Sequence, residues 1–306
     1  ISSKPMSTSH AKAAATFLEN RSRVAWHDQA LWFVREKRDK MSHAVPEWEE
    51  LRQMAHDLKR YNITHLAELL QQFEANAQKN GVVVHWAADA EEHNRIVHEL
   101  LQSHKVHRLV KSKSMLCEEC GLNEYLLERG IDVVESDLGE RILQLMHAKP
   151  SHIVLPAIHI KREEVGELFE REMGTEKGNS DPTYLTHAAR KNLRNYFLHA
   201  DAAMMGGNFA VASTGEVVVC TNEGNADMGM ACQKLNICSF GIEKVVANLS
   251  ALGVFTRLLA RSATGQPTTT YTSSFRTPQK GGELHFIIVD NGRTEMLANR
   301  EHEKML

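Results

Sequence analysis

Long apolar runs are what this chain most plainly lacks. No stretch approaches the roughly 18 to 20 consecutive apolar residues that crossing a bilayer requires. The N-terminus has no basic-then-apolar leader, so the sequence predicts a cytoplasmic chain with no membrane span. An excess of one charge is missing as well: 36 Lys and Arg against 39 Asp and Glu leave a net charge of -3. With no basic stripe interleaved with aromatics, a nucleic-acid partner is excluded. Cysteine is scarce, five in 306 residues, an odd count that points to reduced thiols and not to a disulfide framework. The one Cys-x-x-Cys, Cys117 to Cys120, stands at a predicted helix start, and Cys220, Cys232 and Cys238 supply no second pair at cluster-ligand spacing. Catalytic signatures are absent in turn. There is no Walker loop, no Gly-x-Gly-x-x-Gly, no Gly-x-Ser-x-Gly and no His-Glu-x-x-His, so nucleotide, nicotinamide, elbow-type hydrolase and zinc readings lack their marks.

What is present is ordinary globular material, 42% hydrophobic and 25% charged, enough for one large α/β unit with a smaller appendage. Residues 1–80 read as a helical N-terminal segment. Ala11 to about Lys40 carries Phe17, Val24, Trp32 and Phe33 in an amphipathic pattern; further helices start near Pro46 and Thr64 and stop at Asn80-Gly81. From Gly81 the grammar changes to strand and helix in alternation. Strands are predicted at Val82–Trp86, Arg108–Val110, Ile131–Val134 and His152–Leu155. Asp89 with Glu92, and Asp137 with Glu140, have capping-box spacing, while Ser114 caps a helix expected to run to Arg129. This alternation over 81–306 predicts an α/β fold, a largely parallel sheet covered by helices on both faces.

The organising stretch is Ala202 to Lys244. Asn208–Ala212 and Glu216–Thr221, joined through Ser213, Thr214 and Gly215, predict a hairpin. The second run empties into Asn222-Glu223-Gly224-Asn225, a polar loop at a strand end where an open α/β sheet holds small ligands. Lys111, Lys113 and Ser114 meet at a strand end and helix start, which suits a small carboxylate or phosphate. Glu135, Asp137 and Glu140 follow the next strand and are placed to face those lysines; Asp137 and Glu140 also have work as caps, whereas Glu135 has none. Asn208, Thr214, Asn222, Asn225 and Lys244 complete the candidate binding set.

The stretches KSKSM, GIDVVESDLGERILQL, PSHIVLPAIHIKREEV, NFAVASTGEVVVCTNEGN, GIEKVV, SATGQ and VDNGR, in that order, resemble the lactate utilisation protein B family from Ala11 onward. The resemblance implies a lactate-utilisation (LUD) domain over 81–306, with a fold similar to the sugar-phosphate isomerase and CoA-transferase superfamily. It also implies a component of an iron-sulfur oxidoreductase that oxidises L-lactate to pyruvate with two companion proteins, passing electrons to [4Fe-4S] clusters. Family members continue into a ferredoxin-like domain, expected here beyond Leu306, so no cluster is expected on these residues. Cys117 and Cys120 depart from the family pattern after KSKSM. By analogy with the superfamily's transferases, Glu216 or Glu223 is the candidate nucleophile. Two other functions stay open: an isomerase- or CoA-transferase-like enzyme for a phosphorylated or acyl substrate, and a non-catalytic assembly module.

Overall fold

A computed structural model describes residues 10–299; the charged tail that closes the sequence lies outside them. Helix α1 (His10–Glu19) and α2 (Arg21–His43) replace the single helix expected there, because the Asn20 side chain accepts from Arg23 N and starts a new helix. Next come α3 (Trp48–Thr64), α4 (Leu66–Lys79), β1 (Val83–Ala87), α5 (Ala90–Ser103) and β2 (Arg108–Lys111). The helix expected from Ser114 to Arg129 is two pieces, α6 (Met115–Glu119) and α7 (Leu122–Leu127), broken where Gly121 takes a left-handed conformation at φ 64°. Then follow β3 (Asp132–Glu135), α8 (Leu138–Met146), α9 (Arg162–Met173), α10 (Pro182–His199), β4 (Ala202–Gly206), β5 (Phe209–Val211), β6 (Glu216–Thr221) and α11 (Asn225–Cys232). The chain continues through β7 (Leu235–Gly241), β8 (Val245–Val246), α12 (Leu249–Thr264), β9 (Tyr271–Phe275), β10 (Glu283–Val289) and α13 (Arg293–Ala298).

The strand expected at His152–Leu155 does not form: 147–161 is a loop. Pro150 and Pro156 bracket the segment and remove the ladder donors that an added edge strand would need.

The main sheet is wholly parallel, in the order β1-β10-β7-β4-β2-β3. Alternation along its strands divides the core. Met205, Phe240, Leu284, Phe286 and Ile288 face α4, which contributes Leu69, Leu70, Phe73 and Ala77. Leu109, Met204, Ile237, Ile287 and Val289 face α5, α6 and α7. Helices thus cover both faces, as the near-continuous apolar strands demand.

The hairpin does not join this sheet. It forms a second sheet, β8-β5-β6-β9, in which β5 pairs antiparallel with β6. Its turn is clamped on α4: Asn76 Nδ2 donates to Ala212 O and Asn80 Nδ2 to Thr214 O, each at 2.8 Å. At Gly215, φ is +70° and a Cβ would stand 2.2 Å from the Ala77 backbone N, so only glycine closes this contact.

Candidate functional site

Strands β2 and β4 are neighbours, yet the chain leaves them in opposite directions, from β2 outward to β3 and from β4 toward β7. The carboxyl ends of two such strands leave a crevice. A cavity of about 740 Å³ opens there, floored by Ser112, Ser114, Gly206 and Gly207 and walled on one side by Ile153, Val154 and Leu155 of the 147–161 loop. A larger hollow of about 1060 Å³ runs along α9 and α10 beside Arg108, at the amino end of β2. It gathers no carboxylates, and the strand-end cavity is the better site because polar and charged groups converge on it from several separate parts of the chain.

The deepest charges are Lys111 and Glu135, register partners at the ends of β2 and β3. Parallel register puts them on the same face, Lys111 Nζ 2.8 Å from Glu135 Oε1, both almost wholly buried. Burial works most strongly against the Lys111 charge, but the charge and hydrogen bond of Glu135, together with the neighbouring Cys117 and Asp137, outweigh it and hold the ammonium above the usual lysine range. Asn123 Nδ2 donates to Glu135 Oε1 at 2.6 Å. Glu135 therefore has a structural partner that spacing did not reveal, and neither residue lines the cavity.

Lys113, two residues on, does line it. Its Nζ lies 2.9 Å from Glu140 Oε1, so the expected meeting of lysines and carboxylates across the sheet edge occurs in two storeys. Asp137 is the N-cap of α8 by position but caps nothing with its side chain. Its Oδ2 accepts instead from Lys113 N at 2.5 Å and Asn225 Nδ2 at 2.7 Å. Glu223 Oε2 takes over the helix start, accepting from Leu138 N at 3.0 Å. Burial, then the neighbouring Glu140 and Glu223, push the Asp137 carboxyl up to about 7. Burial also raises Glu223, though by surface area its side chain keeps much contact with water, which weakens the effect.

A second charged cluster comes from parts of the chain far apart in sequence. Arg293 reaches Glu243 through Nε at 2.6 Å and Glu119 through both Nη atoms at 3.1 Å. Lys244 Nζ lies 3.4 Å from Glu243 Oε1. A Cβ at Gly241 would fall 2.0 Å from Glu243 Oε2, so glycine leaves the room this cluster occupies. The three cavity cations, Lys113, Lys244 and Arg293, each already have a carboxylate.

Of the sequence candidates, Lys113, Ser114, Asn208, Asn222, Glu223 and Lys244 line the cavity. Lys111 and Glu135 lie below it, and Asn225 stands behind it, also donating to Ser136 Oγ at 3.0 Å. Thr214 and Glu216 are at the hairpin end; β6 carries Glu216 about 16 Å from Thr221, five steps of roughly 3.3 Å. Sequence reading did not place Glu119, Glu243 or Arg293 in the site, although the polar Asp290-Asn291-Gly292-Arg293 after an apolar run was the available signal. Cys117 and Cys120 are buried, and burial raises both thiols, Cys120 to about 12, which makes them poor nucleophiles. Among the described residues, no group of three or more His, Cys, Asp and Glu side chains is arranged to hold a metal ion, and all five cysteines are free thiols.

A parallel sheet covered by helices on both faces, with a polar cavity over its switch point, defines an α/β domain of the open-sheet class. The chain belongs to the LUD domain family, whose model matches residues 70–296. It is 40% identical over 258 residues to lactate utilization protein B of Shouchella clausii, covering 82% of this chain and 54% of that protein. It is 39% identical over 265 residues to lactate utilization protein B of Bacillus cytotoxicus, covering 85% and 56%. The chain thus spans about half the length of the curated relatives it matches. A crystal structure of a DUF162 family protein from Deinococcus radiodurans aligns with a TM-score of 0.40 at 13% identity, over 73% of this chain and 98% of that one. No helix among the described residues is long and apolar enough to cross a membrane.

Proposed function

We propose that this chain acts in lactate utilisation, as the LUD portion of an iron-sulfur oxidoreductase that converts L-lactate to pyruvate, with the strand-end cavity as its ligand site. The similarity to proteins named for lactate utilisation supports the pathway. The observation that carries the site is the convergence of Lys113, Asp137, Glu140 and Glu223 on one crevice at the switch point. Lys113 would exchange its Glu140 partner for the lactate carboxylate. Asp137, with a carboxyl near 7, is matched to take the hydroxyl proton at neutral pH. The oxidising equivalent belongs, in this reading, to clusters held outside these residues and to the companion proteins, in the cytoplasm.

Calorimetric titration with L-lactate, pyruvate, phosphate and CoA tests this. Heat from L-lactate or pyruvate is expected, with affinity at least about tenfold weaker in Lys113→Ala, the loss of one charge-assisted hydrogen bond. Silence from both acids would sink the substrate-site reading. One observation favours a second reading, a non-catalytic assembly module: Leu18, Trp32 and Phe33 of α1 and α2 are at least half exposed. Silence toward all four ligands, with retained binding of the companion proteins, would select it.

A further inference from the structure

A chain of hydrogen bonds runs from the cavity floor into α5. Ser239 Oγ lies 2.9 Å from His93 Nε2, and His93 Nδ1 lies 2.9 Å from Asn94 Oδ1. Asn94 Nδ2 in turn donates to Cys120 O at 2.6 Å. The last bond decides the others. A carbonyl oxygen only accepts, so the Asn94 amide must present Nδ2 to Cys120 and leave Oδ1 facing the ring. His93 Nδ1 therefore carries the proton, Nε2 carries the lone pair, and the Ser239 hydroxyl must donate to it.

Hydroxyl, base and orienting group in that order are the parts that activate a nucleophile, with an asparagine in the third role. Tying α5 to β7 would need only the serine and the histidine; the bonds on to Asn94 and Cys120 add a fixed tautomer. Burial lowers the His93 pKa, although the Asn94 bond raises it, so the ring is neutral at neutral pH as a base must be. Ser239 borders the cavity, beside its register partner Gly206, which puts no side chain on the shared face. Its exposure is only 1%, so the approach is narrow.

We propose that Ser239 is a nucleophile and that the cavity supports removal of a small acyl group from an ester or thioester. Ser239 Oγ bonds to the carbonyl carbon as its proton passes to His93 Nε2. Collapse of the tetrahedral adduct breaks the bond to the leaving alkoxide or thiolate, which takes the proton back from His93. Water then repeats the sequence on the Ser239 ester, releasing a carboxylic acid and restoring the hydroxyl. Nothing is oxidised or reduced, and the activity does not depend on lactate binding.

The test treats the chain with p-nitrophenyl acetate, follows nitrophenolate release and maps the adduct by peptide mass spectrometry. An acetyl group on Ser239 is expected, with release at least about 100-fold slower in Ser239→Ala and His93→Gln. Asn94→Ala should keep the adduct, form it more slowly and shift the pH-rate profile, since the ring is then free to change tautomer. Mapping on the unsubstituted chain needs no variant to fold. Acetyl confined to lysines or surface histidines, or equal release from a folded Ser239→Ala, would overturn the assignment.

Discussion

Replacing Lys111 by methionine should be among the most damaging single substitutions in this chain. The side chain has the right length and shape, so packing under α6 is largely kept, and what is lost is the charge 2.8 Å from Glu135 Oε1. Glu135 is 4% exposed and would keep only Asn123 as a partner. Breaking a buried pair from one side leaves a charge with no counter-ion and costs about 3–5 kcal/mol. With a urea m-value of about 3 kcal/mol/M, the midpoint should fall by roughly 1–1.7 M. Adding Glu135→Gln to Lys111→Met removes the stranded charge and should restore most of that loss. A comparison sets the scale: Arg95 and Glu99 also meet at 3.0 Å, but on the solvent face of α5, and Arg95→Ala should leave the midpoint where it was. Urea titrations followed by circular dichroism decide the matter. A Lys111→Met midpoint within about 0.3 M of the parent, equivalent to 1 kcal/mol or less, would refute the reasoning, as would a double variant no better than the single.

Asp137 titrates near 7 when folded against an ordinary 3.8, so between those values the native chain holds a proton that the unfolded chain has released. Stability should therefore decline as pH rises from about 4 to 7, and Asp137→Asn should remove the decline, gaining about 1–2 kcal/mol over the parent at pH 8 in urea titrations. On the β1 and β10 edge, His85 Nε2 lies 3.0 Å from His285 Nδ1, and burial lowers the pKa of both rings. The unfolded chain binds these protons first, so stability is lost as pH falls below about 6.5, and melting curves of His85→Gln should show a shallower loss between pH 7 and 5. His104 acts oppositely, raised by the Leu100 carbonyl and then Glu283, so its contribution is present at low pH and fades as pH rises through its folded pKa. Gly215→Ala adds left-handed strain to a clash with the Ala77 backbone and should cost about 2–5 kcal/mol, read as a lowered urea midpoint.

Much of this architecture was legible before any coordinates. Period-2 and period-3.6 patterns are local, and so are caps: Asp89 Oδ1 accepts from Glu92 N at 2.9 Å where spacing placed a capping box. The parallel α/β sheet, the β5-β6 hairpin and the positions of Lys113, Asn222 and Glu223 at strand ends all follow from residues a few places apart. Other assignments needed more than neighbours in sequence. Asp137 and Glu140 have the spacing of a cap, yet one binds Lys113 N and Asn225 and the other Lys113 Nζ, because the folded strand ends bring stronger partners than a helix terminus offers.

The sequence by itself determined where β1, β2, β3, β5, β6 and many of the helices lie, since propensity, turn glycines and capping side chains act within one turn or one hairpin. Only the tertiary structure decided that β2 lies between β3 and β4, which pairs Lys111 with Glu135 and opens the crevice. It alone set the hairpin into a second sheet, left 147–161 as a cavity wall, and joined His93 to Ser239 across 146 residues and Arg293 to Glu119 across 174. Strand order is chosen by burying apolar faces over the whole chain, and a contact between distant residues leaves no trace in the pattern around either of them.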